Sequence, residues 1–186
     1  MSVHPLVSEY ANQLKSITSK AQNEDEIIRL VSPLASALAL NPDWIEERFY
    51  EPDKETGFSA FLLHEEEDHS LAVFAVSWVP GMGVEPHDHG TWAVVAGVKG
   101  DERNISYIRN DDRNDPNYAE LEVRKESVAG PGDLVCMRTG GIHAVRNDSD
   151  EVTVSLHTYG RHINFTGRSQ FDLTTNEVKA FKVDVN

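Results

Sequence analysis

Three histidines have the types and positions to hold a metal ion. In Gly81-Met82-Gly83-Val84-Glu85-Pro86-His87-Asp88-His89-Gly90, the two histidines alternate, and alternate residues on a strand point to one face. Two imidazoles can therefore converge on one point. A second segment, Gly140-Gly141-Ile142-His143, follows Pro131-Gly132-Asp133 and precedes Asn147, and it can bring a third imidazole from a distant strand. Neutral imidazole suits Fe, Zn, Cu or Ni, and three ligands leave coordination positions free. A second constellation is Ser155, His157 and Tyr159, again alternating. On one strand face these can form a hydrogen-bond chain that sets the orientation and proton affinity of the tyrosine hydroxyl.

The elements that must position these groups are mostly strands. Short β-rich runs lie at Phe58 to Leu63, Leu71 to Trp78, Thr91 to Val98, Asn104 to Arg109, Leu121 to Val128, Asp133 to Met137, Ala144 to Arg146 and Val152 to Thr158. Gly, Pro, Asn or Asp separates them, which points to a β-sandwich or barrel over about residues 57–168. Residues 4–50 read as helical instead. Asn23 caps an acidic first turn, and Ile27, Leu30, Val31, Leu34 and Leu38 recur at helical spacing, with Pro33 expected to kink or divide the helix. A shorter helix is expected from Asn41-Pro42-Asp43 through Trp44 to Phe49. Residues 169–186 read as a C-terminal extension. No repeat or linker divides the chain, so residues 1–186 are expected to form one domain.

The 186 residues are 39% hydrophobic and 26% charged, ordinary values for a globular protein. The formal net charge of −14 disfavours nucleic acid and anionic membranes as partners. Met1-Ser2-Val3-His4-Pro5 lacks the basic and apolar regions of a signal peptide, and no apolar run has membrane-spanning length. Cys136 is the only cysteine, which excludes an intrachain disulfide and a cysteine-based zinc site. These features point to the cytoplasm. Cys136 itself reads as a small buried hydrophobe on a strand.

The glycine and histidine spacing from Gly81 to Asn147 resembles the two cupin motifs, with Arg138 in place of the usual Pro. The resemblance implies a mainly β fold, a double-stranded β-helix or jelly-roll barrel with N-terminal helices, and it is compatible with a homodimer. The cupin motif carries a metal-binding Glu soon after the second His; Ala93 and Val94 stand there. A site of three neutral histidines keeps the full charge of its ion and favours anionic ligands such as a thiolate or an enolate.

With His87-Asp88-His89-Gly90-Thr91-Trp92, Gly140 to His143 and Ser155-Leu156-His157-Thr158-Tyr159-Gly160, the chain resembles the cysteine dioxygenase family of thiol dioxygenases, and its bacterial branch most. That resemblance implies one Fe(II) on His87, His89 and His143, with O2 and a small thiol as reactants and a sulfinate as product. It implies catalytic roles for Tyr159, His157 and Ser155. Animal members carry a cysteine that crosslinks to the tyrosine; Val94 matches it here, so no crosslink forms. The position that holds the substrate carboxylate by Arg or Gln falls on Ser59 and Ala60. Arg168, nine residues after Tyr159, matches the arginine used by bacterial mercaptopropionate enzymes and is the expected substrate cation, and Trp92 is expected to line the pocket. Two further readings are a cupin dioxygenase for a non-thiol substrate such as a β-diketone, and a non-catalytic metal- or ligand-binding cupin.

Overall fold

The computed structural model describes residues 3–186; Met1 and Ser2, part of the opening segment read above, lie outside the described residues. Two helices come first, α1 (Pro5–Thr18) and α2 (Glu24–Ala39). Asn23 caps α2 as expected, its side chain accepting a hydrogen bond from the Glu26 N–H at 3.0 Å. Pro33 sits inside α2 without dividing it. The expected second helix is instead two single 3-10 turns, Pro42–Trp44 and Glu47–Tyr50. They deliver Trp44 and Phe49 to the core beneath the helices.

Eleven strands follow: β1 (Phe58–Glu65), β2 (Ser70–Trp78), β3 (Gly83–His87), β4 (Ala93–Lys99), β5 (Glu102–Arg109), β6 (Leu121–Ala129), β7 (Leu134–Met137), β8 (Ile142–Arg146), β9 (Thr153–Arg161), β10 (Ser169–Phe171) and β11 (Val178–Ala180). They form two antiparallel sheets, ordered β1-β2-β9-β4-β7 and β11-β10-β3-β8-β5-β6. From β2 onward the chain passes repeatedly between the two sheets, which is the winding of a double-stranded β-helix. The fold is therefore mainly β with N-terminal helices. Among the described residues, no helix is long and apolar enough to cross a membrane.

The first sheet is covered on both faces, so β2 is buried almost throughout rather than at alternate residues. Leu71, Val73 and Ala75 join Val94, Ala96 and Leu156 in the core shared with α1 and α2. Ala72, Phe74, Val76 and Trp78 point the other way, into the barrel with Ala93, Val145 and Tyr159. The Tyr10 hydroxyl of α1 meets Thr158 Oγ1 at 2.7 Å, fastening a helix to the back of β9.

The C-terminal residues belong to the barrel rather than extending from it. β10 pairs with β3, β11 pairs with β10, and Asn186 exchanges backbone hydrogen bonds with Ala60 and Leu62. Their short strands have little alternating pattern, and pairing comes from the edge groups of β3 and β1. Cys136 is also displaced from its expected environment. It is exposed, on the edge strand β7.

Candidate metal centre and cavity

His87 ends β3 and His143 lies on the neighbouring β8, as direct register partners. Adjacent antiparallel strands thus bring together residues far apart in sequence. A register shift in β3 between Val84 and His87 contains Glu85 and Pro86, and Pro86 has no N–H to give to a ladder. The bulge lets both Val84 and His87 line the interior although they are three residues apart. His89 lies just past β3, where Asp88 fixes the chain to the start of β10. Asp88 N–H donates to the Ser169 carbonyl and Ser169 N–H donates to Asp88 Oδ1, both at 3.0 Å. Gly90 then turns with φ +62, and a Cβ there would sit 2.8 Å from Thr166 Cβ.

The three imidazoles are 5%, 2% and 2% exposed, and one ring nitrogen from each falls within 4.8 Å of the others. His87 Nδ1 lies 2.9 Å from the Glu85 carbonyl and His143 Nδ1 lies 3.3 Å from Asn104 Oδ1. Each therefore uses Nδ1–H as a donor and leaves the Nε2 lone pair free, as a histidine ligand requires. His143 Nε2 and His89 Nδ1 are buried with no hydrogen-bond partner in the protein. Burial pushes all three pKa values down. His143 falls to about 4, helped by the Arg168 charge, and His87 and His89 fall well below the usual imidazole range, helped by their histidine neighbours. Neutral, buried, convergent and unpartnered imidazole nitrogens fit a divalent cation.

On β9, Ser155, His157 and Tyr159 face the interior as their spacing predicts, and the links are made. Tyr159 Oη lies 2.7 Å from His157 Nδ1, and His157 Nε2 lies 2.9 Å from Ser155 Oγ. Burial lowers the His157 pKa to about 3 and raises that of Tyr159, with Arg168 drawing the latter partly back. The Tyr159 ring centroid is 5.0 Å from that of His89. The chain continues to a residue that the spacing did not single out. Glu102 Oε2, from β5, lies 3.0 Å from Ser155 Oγ. Glu102 and Asn104 alternate on β5, and that alternation was the available signal for both.

Arg168 is 4% exposed, and its Nε and Nη2 have no hydrogen-bond partner in the protein. It lies on the cavity wall with His87, His143, His157 and Tyr159. Burial lowers its pKa, while Tyr159 and Asp88 support its charge. Most of the remaining wall is apolar, including Phe58, Ala60, Val76, Ile163, Phe181 and Val183, and it contains no carboxylate among the described residues. Ala60 thus brings no donor to the wall, while the neighbouring Ser59 accepts a hydrogen bond from the Asp53 N–H.

Two expectations are corrected here. Trp92 is not on the cavity wall; it packs in the core shared with α1 and α2. It fits over Gly160, where a Cβ would sit 2.3 Å from Trp92 Nε1. The residue opposite Tyr159 is Ala93, not Val94, which pairs with Thr158 and faces the helices. Neither carries sulfur.

No protein-family model matches the chain. Solved structures similar to it include an oxalate oxidase in complex with the substrate analogue glycolate, at 16% identity and TM-score 0.45, covering 59% of this chain and 53% of that one. An uncharacterized protein with a double-stranded β-helix domain from Klebsiella pneumoniae is 12% identical, with TM-score 0.48 and coverage of 68% and 88%. An oxalate decarboxylase from Bacillus subtilis is 22% identical, with TM-score 0.39 and coverage of 50% and 22%. The chain thus spans about half the length of the oxalate oxidase that it matches. Its own strand order and side chains define it as a double-stranded β-helix barrel with a three-histidine cluster suited to a metal ion.

Proposed function

We propose that this protein is an Fe(II)-dependent dioxygenase that combines a small thiol carrying a carboxylate with O2 to give the sulfinate. The observation that carries this reading is one cavity lined by His87 and His143 of the three-histidine cluster, by Tyr159 and by a buried arginine without a partner. His87, His89 and His143 would hold the ion. When bound, Fe(II) supplies the redox chemistry that O2 requires and the charge that favours a thiolate. The overall reaction, RSH + O2 to RSO2H, needs no other co-substrate.

The protein's own groups provide the rest. The two free donors of Arg168 suit a carboxylate oxygen pair in a fork, and the low-dielectric wall strengthens that contact. The cavity lacks a carboxylate to receive an ammonium group, which favours a mercapto acid over an amino acid such as cysteine. Tyr159, held by His157 and Ser155, offers its hydroxyl to ligand or oxygen. The apolar wall excludes water from the reacting groups.

The largely apolar wall also suits an enolised β-diketone, an anion without a carboxylate. O2 consumption by the Fe(II)-loaded protein across cysteine, 3-mercaptopropionate, cysteamine, mercaptosuccinate and a β-diketone separates these readings. Sulfinate formation from a mercapto acid supports the proposal. Uptake with the diketone alone replaces it. Ligand-induced stabilisation without O2 uptake points to a binding protein.

A further inference from the structure

Glu102 is a buried carboxyl that the proposed reaction leaves unused. It forms no ion pair, is 4% exposed, and its Oε1 has no hydrogen-bond partner in the protein. Its Oε2 stands at the closed end of a four-member chain through Ser155 and His157 to Tyr159, with links of 3.0, 2.9 and 2.7 Å.

Such a chain has two directions. In one, Tyr159 O–H donates to His157 Nδ1, His157 Nε2–H donates to Ser155 Oγ, and Ser155 O–H donates to Glu102. Tyr159 then offers the cavity only lone pairs. In the other, the acid O–H of Glu102 donates to Ser155 Oγ, Ser155 O–H donates to His157 Nε2, and His157 Nδ1–H donates to Tyr159. The tyrosine O–H is then free to donate into the cavity. A carboxylate can only accept and forces the first direction; a carboxylic acid admits the second. With Glu102 neutral, both directions carry the same four protons and differ in the tautomer of His157. An anionic ligand beside Arg168 favours the second direction, because it wants a donor.

We infer that Glu102 is a positioning residue which, as a carboxylic acid, turns the hydrogens of the relay toward the cavity and makes Tyr159 a donor there. The inference rests on the dioxygenase reading only for what that donor meets. Burial without a cation holds the Glu102 proton, raising its pKa to about 7 against the Ser155 and Thr153 hydroxyls, which draw it down.

The test is the tautomer of His157, read by 15N NMR on histidine-labelled protein loaded with Zn(II), with the signal assigned against His157→Asn. At pH 6, below the Glu102 pKa, the expected result is an Nδ1–H imidazole in the native chain and in Glu102→Gln, whose amide N–H can donate to Ser155. Glu102→Leu should move His157 toward the Nε2–H form. Ser155→Ala, which cuts the same connection, should do likewise and serves if the leucine variant does not fold. With a thiol that is turned over, Glu102→Leu should lower kcat about tenfold with KM little changed, glutamine should restore it, and no further loss should appear in a Tyr159→Phe background. An Nε2–H imidazole in the native chain, or an Nδ1–H form that persists in both Glu102→Leu and Ser155→Ala, overturns the inference. If the tautomers behave as expected and no thiol is oxidised, the relay stands and the dioxygenase reading falls.

Discussion

The guanidinium carbon of Arg168 lies 4.1 Å from the ring centroid of Phe181, so a residue of the C-terminal tail holds the one cation of the cavity wall among the described residues. The same ring meets His87 at 5.4 Å between centroids. Stacking fixes the plane of the guanidinium and leaves its donors to the cavity. The tail therefore joins the proposed substrate cation to the metal site.

Replacing Arg168 by Met should separate binding from stability. Loss of hydrogen bonds to a charged group, worth roughly 1.5–3 kcal/mol, should raise KM for a mercapto acid about tenfold to a hundredfold. Thermal stability should rise, because a buried charge without an ion-pair partner is removed. Steady-state kinetics and a melting curve on one preparation check both directions.

His143→Ala should abolish metal binding, whereas Tyr159→Phe should keep the metal and slow turnover by about tenfold to a hundredfold. Metal content per chain, measured after dialysis, distinguishes the two. Full iron in His143→Ala would show that the ligand set is wrong. Metal should also raise the melting temperature of the native chain, because it binds the assembled site and not the open chain.

Glu102 makes a definite prediction for stability against pH. Its pKa is raised from 4.5 to about 7 by burial, so the folded state holds a proton that the unfolded state releases over that interval. Stability contributed at this position therefore falls as pH rises from about 4.5 to about 7 and levels above it. Glu102→Gln, which cannot ionise, should gain on the native chain by about 3 kcal/mol between pH 4 and pH 8. Denaturant titrations at several pH values measure the difference, and a constant gap would show that Glu102 titrates alike in the folded and unfolded states.

Trp92 should matter for folding and not for substrate. Trp92→Ala should cost about 3–5 kcal/mol, because it empties the space over Gly160 and beneath the helices. At a temperature where the variant remains folded, its KM should match that of the native chain.

Much of this centre was legible in local spacing. Period-two spacing carries information about faces, and it was enough to aim Ser155, His157 and Tyr159 together. Glycine and histidine intervals were enough to bring His143 to the pair His87 and His89. Hydrophobic periodicity and an Asn cap located α2. Tertiary structure decided what local spacing cannot carry. The face of Trp92 depended on where α1 and α2 dock, because a strand buried on both sides shows no polar face to orient it. The role of Arg168 depended on the pairing of β10 with β3, segments about eighty residues apart, and on the tail that stacks against it. Glu102 looked like one more acid in an acidic chain, and only the approach of β5 to β9 buried it against Ser155. Its surroundings, not its residue type, give it a proton to hold.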